Sequence, residues 1–276
     1  MSMTGGISFF EQNKALFSKG ALCVASSNVA DENLILGTNK SYSWESIGSD
    51  DATPETLTIT LDDPAEISRL FLIGHNFKSY KVEYWNGSAF VDFAGVTGLY
   101  NYADTEINET AFVNDTSYYE FTPVTTQIIK ITAYTTQIAD EQKMLNQVIV
   151  TNEIGTLKGF PAMSGIKLDR NDQRDEAISG RVHIVRGYES AAFSLDLSTY
   201  PYQEDIDILD ELHTLDTPFI AWLCGGKPEQ FRLNQRGFRA KDVYQMKMSG
   251  TITNGFYQNI YILGAEQQYS FIEVIQ

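Results

Sequence analysis

The sequence predicts a mainly β protein with two modules: a jelly-roll β-sandwich, then a β-barrel or sandwich carrying one amphipathic helix. The chain has 276 residues, enough for two domains. Aromatic residues make up 12% of it, and ring side chains favour strands. Short runs of alternating polar and apolar residues recur along the first half. We place the boundary at residue 157, so that residues 1–157 form the first module, with an N-terminal arm, and residues 158–276 the second.

The first module is expected to contain strands without helices between them. Thr56–Leu61 alternates cleanly between threonines and aliphatic residues, as in a strand with one buried face. Ile67–Ile73 is almost continuously apolar, which is typical of a strand covered on both faces. Asn86-Gly87 lies between two apolar runs and predicts a hairpin with a type I′ turn. Further strands are predicted at Tyr80–Trp85, Phe90–Phe93, Ser117–Phe121, Gln127–Ala133 and Gln147–Thr151.

The second module is predicted to combine strands with one helix over Gln203–Leu215. Apolar residues recur in that segment at threefold spacing, and Glu204 and Asp205 lie in its first turn, where acids complement the helix dipole. Thr217-Pro218 ends it. Strands are predicted at Gly180–Val185, Ala192–Leu197, Phe219–Leu223, Val243–Met248, Asn259–Leu263 and Ser270–Val274.

The chain is strongly acidic, with a formal net charge of −16. Residues 1–157 carry 20 acids against 8 Lys and Arg, or −12, and residues 158–276 carry 16 against 12, or −4. Such a field repels phosphate backbones, so nucleic acid is not expected as a partner. The charge either keeps the subunits of a large assembly soluble or serves cation-assisted assembly or the binding of divalent ions. Met1–Gly6 lacks the pattern of a signal peptide, and no apolar run is long enough to cross a membrane. Synthesis in the cytoplasm is therefore expected.

A group of residues in the first module carries a resemblance to a known family. Ala25-Ser26-Ser27 and Trp44 precede the strand Leu57–Leu61, and Ile67–Ile73 then runs into Gly74-His75-Asn76. This order resembles the discoidin, or galactose-binding-like, β-sandwich in the form appended to bacteriophage tail proteins. In that family an early loop and a Trp precede such a strand, and a second strand ends in a loop with polar residues like His-Asn.

The second module resembles minor or distal tail proteins of long-tailed phages. The helix, Pro218–Gly226 and Gly237-Phe238-Arg239 carry this resemblance. It implies a virion structural protein of a tail tip or baseplate, made in the host cytoplasm and assembled into a homo-oligomeric ring such as a hexamer or trimer. Its partners would be copies of itself, other tail proteins and a host surface glycan. A carbohydrate-binding protein that recognises a receptor is the alternative, and a glycan hydrolase of the tail is a further one.

Catalysis is not expected from these residues. The chain has three histidines, and it contains no H-E-x-x-H, G-x-S-x-G, P-loop or paired C-x-x-C motif. Cys23 and Cys224 both lie in apolar runs and are expected to be buried. No catalytic residue or cofactor is therefore predicted.

Ligand binding has more candidates in the sequence. His75 and Asn76, with Lys78 after them, follow a buried strand and offer donors and acceptors in a loop. Alternatively, Trp44 fills the core, and His75 and Asn76 satisfy backbone groups at the end of a strand. The side chains that would give a sugar a flat apolar face are Tyr42, Trp44 and Trp85.

Two acidic loops raise the question of calcium. Asp31-Glu32-Asn33 and Gly48-Ser49-Asp50-Asp51 carry the oxygen ligands that calcium prefers. The galactose-binding-like resemblance implies a calcium site in some relatives. The spacing is not that of an EF-hand loop, and solvated acidic loops are the other interpretation.

One basic segment stands out against the acidic background. Residues 232–247 hold five Lys and Arg residues against Asp242 alone. Arginine binds carboxylates through two parallel hydrogen bonds, so we interpret this segment as a contact with an acidic face of a neighbouring subunit, with an ordinary solvated face as the alternative. The residues predicted at that interface are Arg232, Arg236, Phe238, Arg239 and Lys241.

Overall fold

The computed structural model describes residues 7–98, 116–157, 162–163, 167–170, 173–176, 182–185, 189–196, 203–223, 243–249, 255–259, 262–266 and 268–274. In these ranges the chain is mainly β, with one α-helix, α1 (Gln203–Thr214), and two short 3₁₀ helices, Phe17–Lys19 and Glu32–Leu36. The strands are β1 Ser8–Phe10, β2 Leu22–Ala25, β3 Trp44–Glu45, β4 Glu55–Ile73, β5 Phe77–Trp85, β6 Phe90–Asp92, β7 Thr97–Gly98, β8 Thr116–Thr136, β9 Met144–Leu145, β10 Gln147–Thr151, β11 Glu153–Thr156, β12 Ala162–Met163, β13 Lys167–Arg170, β14 Gln173–Glu176, β15 Val182–Val185, β16 Glu189–Asp196, β17 Phe219–Trp222, β18 Val243–Ser249, β19 Gly255–Asn259, β20 Ile262–Glu266 and β21 Gln268–Glu273.

Two long strands, β4 and β8, build the first sheet. They pair antiparallel along their whole length, with register shifts between Thr60 and Ala65 and between Ile67 and Arg69. The first half of β4 also pairs with β2 and its second half with β10, while β5 and β6 extend the sheet beyond β8. Residues from both halves, such as Ile59 and Leu70, share one buried cluster. The two halves therefore face each other as the layers of a sandwich, and the irregular stretch is where the strands bend.

The second half of β4 is covered on both faces, as its apolar sequence predicts. Leu70 and Leu72 lie in the core of the sandwich. Phe71 and Ile73, which alternate with them, lie in a separate cluster with Trp222 of β17. The strand thus separates two buried layers, which explains why it has almost no polar position.

The second sheet has the order β11-β1-β17-β18-β21-β16-β12, with β13 also paired to β16. Helix α1 packs on it through Leu209 and Leu212, which share a cluster with Phe9 and Phe271. Gly155 of β11 allows this approach, because an added Cβ would lie 2.6 Å from the Cδ1 atom of Ile208. The described residues thus confirm the predicted fold class: a mainly β protein with a sandwich and a second β module carrying a helix.

Several local predictions differ from the structure. Thr56–Leu61 and Ile67–Ile73 are parts of the single strand β4, because the chain bends through an irregular register instead of breaking the strand. The hairpin at Asn86-Gly87 exists, but Trp85 pairs with Phe90, so four residues connect the strands instead of two. The side-chain oxygen of Asn86 accepts hydrogen bonds from the backbone of Ser88 and Ala89, which stabilises this wider loop. The strand predicted over Asn259–Leu263 combines the end of β19 with the start of β20.

Strands from both sides of the predicted boundary at residue 157 lie in the second sheet. β1 pairs with β11 on one side and with β17 on the other, although β1 and β11 precede residue 157. A buried cluster then joins the two sheets. Its members are Phe10, Phe71, Ile73, Tyr118, Ile149, Ile220, Trp222 and Val243.

Candidate functional site

One end of the sandwich gathers the loops in which most of the predicted ligand residues lie. We call it the loop end and define it as residues 26–31, 37–54, 74–76 and 137–143. The side chain of Asn76 ties two of these segments, since its Nδ2 donates to the Gln142 carbonyl at 2.7 Å and its Oδ1 accepts from the Met144 N–H at 2.9 Å. Gln142 in turn donates to the Ser46 carbonyl at 2.8 Å. The loops are therefore fixed to each other by side chains instead of being independent.

Trp44 lies inside this arrangement and presents no face to a ligand. It is fully buried in the sandwich core. Its indole N–H donates to the Ser27 carbonyl at 3.0 Å, so its polar atom is also satisfied. Of the two roles that the sequence leaves open for Trp44, the core role agrees with this placement and the sugar platform does not.

His75 is likewise buried and directed inward. Its Nδ1 accepts a hydrogen bond from the Phe77 N–H at 3.1 Å, so the proton of the neutral ring is on Nε2, which lies 2.9 Å from the Ser117 Oγ. Ser117 also accepts from the Tyr80 hydroxyl at 2.6 Å. Burial lowers the pKa of His75 to about 3 and raises that of Tyr80 to about 12. The ring is thus a neutral core group and not a ligand donor.

The Asn76 amide offers little to a ligand. Both polar atoms of the Asn76 amide bind backbone groups of the neighbouring loop. Lys78 is half-buried on β5. The alternative stated from the sequence, in which His75 and Asn76 satisfy backbone groups at a strand end, agrees with the hydrogen bonds of both residues.

Trp85 does not belong to the loop end. β5 begins there with Phe77 and carries Trp85 at its other end, eight residues away, or about 26 Å along a strand. The Trp85 ring packs edge to face on Phe90 with centroids 5.2 Å apart. The sequence could not show that Trp44 and Trp85 lie at opposite ends of the sandwich, because this depends on the directions in which their strands run.

Tyr42 is the aromatic candidate that reaches solvent. Its side chain is 58% exposed. Two side chains at the start of β10 hold the loop that carries it: Asn146 donates to the Lys40 carbonyl at 2.6 Å, and Gln147 donates to the Gly37 carbonyl at 2.7 Å. Lys40 also donates to the Val243 carbonyl of the second sheet. The ring therefore projects from a backbone that both modules hold.

Three exposed aliphatic residues at the loop end were not anticipated from the sequence. Ile47 is 75% exposed, and Val29 and Ile138 are also largely exposed. They lie in three loops that hydrogen bonds connect: the Ile47 N–H donates to the Ser27 Oγ, and the Gln142 amide donates to the Ser46 carbonyl. Ile47 is a single apolar residue between the turn-forming residues Ser46 and Gly48, a signal in the sequence that could have identified it, whereas Val29 and Ile138 each have an alanine beside them and carry no such signal.

The acidic loops use their side chains internally. Glu32 and Asn33 accept hydrogen bonds from the Ala25 and Cys23 N–H groups, which protects the edge of β2. Asp50 accepts from the backbone and hydroxyl of Thr53, and these bonds hold the pKa of Asp50 below its usual value. Across the described ranges, no three His, Cys, Asp or Glu side chains are arranged to hold a metal ion.

A cleft of about 710 Å³ opens between β8 and β11, away from the loop end. Its charged centre is Arg69, whose Nη2 lies 2.7 Å from Glu153 and 3.4 Å from Glu120. Because Glu153 belongs to the second sheet, this triad links the two sheets, with one guanidinium between two carboxylates. The lining residues are Ser68, Arg69, Gly95, Glu120, Phe121, Thr122, Pro123, Glu153, Ile154 and Gly155.

Two further predictions fall partly or wholly outside the described residues. The interface candidates Arg232, Arg236, Phe238, Arg239 and Lys241 lie outside them, as does Cys224. Cys23 is buried, as predicted, and burial raises the pKa of its thiol to about 12. Within the described part of the chain, α1 is too short and too polar to cross a membrane, and no other helix there qualifies.

Comparison with known proteins gives matches among solved structures alone, since no family model and no curated protein matches the chain. A selenomethionine-labelled mutant of chitosan-binding module 1, derived from a chitosanase/glucanase of Paenibacillus sp. IK-5, is 15% identical, with a TM-score of 0.41 over 51% of this chain and 99% of that one. The family 32 carbohydrate-binding module of C. perfringens NanJ, in complex with galactose, is 17% identical, with a TM-score of 0.40 over 52% and 99%. A Ruminococcus gnavus GH29 fucosidase is 18% identical, with a TM-score of 0.39 over 51% of this chain and 27% of its own. The chain thus spans about a quarter of that enzyme.

Proposed function

We propose that this protein is a non-catalytic binding protein that recognises a saccharide at the loop end of its sandwich, with Tyr42 as the contact for the sugar ring. The observation that carries the proposal is a 58% exposed tyrosine on a loop fixed by Asn146 and Gln147. A tyrosine gives a large amphipathic contact area at a low cost in conformational entropy. A loop that is already ordered adds little further entropic cost on binding.

The polar groups of the same loop suit a polyhydroxylated ligand. Asn39 precedes Tyr42 and stabilises the turn by accepting from the Ser41 N–H at 3.0 Å. Ser41 and Ser43 are neighbours of Tyr42 in the sequence. Short hydroxyl and amide side chains around an aromatic ring supply adaptable hydrogen bonds to sugar hydroxyls.

The experiment is a glycan array with the full chain, followed by calorimetry of the best saccharide with Tyr42→Ala. Phe17→Ala is the matched control, because Phe17 is 55% exposed and lies at the opposite end of the sandwich. Tyr42→Ala should weaken binding at least about tenfold, or roughly 1.4 kcal/mol. Phe17→Ala should bind normally, and both variants should keep the melting temperature of the parent chain. Equal binding by Tyr42→Ala and the parent, or no bound glycan at all, would reject the proposal.

A second candidate function is a structural role in a phage tail tip or baseplate, where the loop end contacts a neighbouring protein. The exposed side chains of Val29, Ile47 and Ile138 favour it, since aliphatic side chains gain from contact with protein and offer no hydrogen bond to a sugar. In this function the predicted basic segment would bind carboxylates of the next subunit in a homo-oligomeric ring.

Mass photometry of the full chain tests the structural role. Arg236→Ala combined with Arg239→Ala should shift the oligomer to monomers while leaving the melting curve of the dilute protein unchanged, because a lost charged pair costs association roughly 2–5 kcal/mol. A parent chain that is monomeric at all concentrations and binds a glycan would favour the saccharide function instead.

A further inference from the structure

A lysine ammonium is buried inside the acidic loop at residues 46–53. Lys143 is 1% exposed, and its Nζ donates to the Asp50 carbonyl at 2.8 Å and to the Thr53 carbonyl at 3.1 Å. Lysine is almost never fully buried without groups that compensate its charge. Here the compensation comes from backbone oxygens of the loop, which turn inward around the ammonium.

The rest of the loop is built around the same lysine. The Lys143 N–H donates to the Ser46 Oγ at 2.9 Å, and the Ser46 N–H donates to the Lys143 carbonyl at 2.9 Å. Asp51 accepts from the Thr136 N–H at 3.0 Å and receives a longer hydrogen bond from the Asp140 N–H. The loop therefore has fixed contacts at its start, its middle and its end, and the ammonium joins Asp50 to Thr53 within it.

This arrangement does not fit calcium. A calcium ion takes six to eight oxygen ligands, and the backbone oxygens of Asp50 and Thr53 already accept from Lys143. The Asp51 carboxylate is occupied by N–H and O–H donors. In the other acidic loop, Asp31 accepts from Asn28, while Glu32 binds the backbone of β2.

We infer that Lys143 is a tethered cation that organises the loop at residues 46–53, so that the loop end keeps its shape without calcium. The Lys143 ammonium provides the positive charge that the carbonyl oxygens of Asp50 and Thr53 face, and this charge is part of the chain itself. Lys143 is thus a positioning residue for the loop end, and this role does not depend on what the loop end binds.

The first test uses the full chain without substitution. Melting curves and hydrogen–deuterium exchange are measured in excess calcium and in EDTA. Both measurements should be the same in the two buffers, with residues 46–53 equally protected. A melting temperature that falls in EDTA, together with faster exchange at residues 46–53, would overturn the inference.

The second test compares Lys143→Ala with Lys143→Met, which fills more of the space but brings no charge. Both should lose melting temperature, on the order of 5 °C, because buried carbonyls lose their donor. Exchange should rise at residues 46–53 and stay at the level of the parent chain at residues 17–22. Lys19→Met removes an exposed lysine at the far end and should change neither measurement.

Added n-propylammonium separates the charge from general packing. It has the atoms that Lys143→Ala lacks, so it should restore protection at residues 46–53 in that variant and not in Lys143→Met. Protection in Lys143→Met equal to that of the parent chain would overturn the inference. If Lys143→Ala does not fold, Lys143→Met and the calcium comparison still decide. No readout involves a saccharide, so this result is independent of the proposed function.

Discussion

Phe71 and Trp222 meet edge to face, with ring centroids 5.8 Å apart and ring planes at 87°, although one belongs to β4 and the other to β17. Tyr118 packs against both, at 4.8 Å from Phe71 and 4.9 Å from Trp222. Such contacts between aromatic rings contribute beyond the burial of apolar area. A separate buried core therefore lies between the sandwich and the second sheet, and we expect the two to unfold together.

Trp222→Ala tests this coupling. The substitution empties a fully buried site between the sheets and should lower the free energy of unfolding by about 3–5 kcal/mol. Trp85→Ala is the control, because Trp85 is only half-buried beside Phe90. Urea denaturation measures both variants. A cost for Trp222→Ala no larger than that for Trp85→Ala would contradict the coupling.

A fragment of residues 1–157 tests the predicted boundary. The whole sandwich core, from Ala15 to Val150, lies within it, so its circular dichroism should retain the signal of strands. The fragment lacks β17, however, so the face that carries Phe71, Tyr118 and Ile149 loses its cover. It should therefore bind a hydrophobic dye that the full chain does not bind. An unfolded spectrum would show that the sandwich depends on the second module.

The sequence predicts those features of the fold that depend on local patterns. The almost continuously apolar segment Ile67–Ile73 indicates a strand covered on both faces, and in the structure a buried cluster lies on each face of it. The bend that continues β4 through Asp62-Asp63-Pro64 leaves no such pattern, because it depends on the register with β8. The membership of β1 in the second sheet depends on pairing with β17, more than 200 residues later, and no periodicity in Ser8–Phe10 indicates that partner.

The candidate site is less predictable for a related reason. A tryptophan in a loop has the same appearance in the sequence whether it points outward or inward, so Trp44 and Tyr42 cannot be separated until their exposure is known. Lys143 lies in the polar segment Asp140–Lys143 and is typical there of a solvated loop. It is buried because its ammonium binds the carbonyl oxygens of Asp50 and Thr53, which lie 90 or more residues earlier in the chain.

Trp44→Ala and Trp44→Phe together test the role of Trp44 in the core. Trp44→Ala should lower the free energy of unfolding by about 3–5 kcal/mol, since the ring is fully buried. Trp44→Phe keeps most of the ring but removes the hydrogen bond to Ser27, so it should cost less, about 1–3 kcal/mol. Chemical denaturation gives both values. An unchanged stability combined with lost saccharide binding would instead place Trp44 on the ligand surface.

His75 predicts how the stability of the protein depends on pH. In the folded chain burial lowers its pKa to about 3, whereas the pKa of an exposed histidine is 6.5. Between these values the unfolded chain binds a proton that the folded chain does not. The stabilisation by neutral His75 is therefore complete above pH 6.5 and is lost as the pH falls toward 3, with a limiting slope of about 1.4 kcal/mol per pH unit.

A comparison with a variant that lacks the imidazole isolates this histidine, because both proteins carry the same carboxylates. Burial alone would raise the pKa values of Glu11 and Glu83, but their lysine partners outweigh it and lower both from 4.5. The stability that these ionised carboxylates contribute is therefore lost mainly below pH 4.5. His75→Gln removes the titrating ring and keeps a neutral polar side chain. Its free energy of unfolding, measured by urea denaturation at several pH values, should change less between pH 6.5 and 4.5 than that of the parent chain. Equal slopes in the two proteins would show that His75 is protonated without cost, and hence that the ring is reached by water in the folded state.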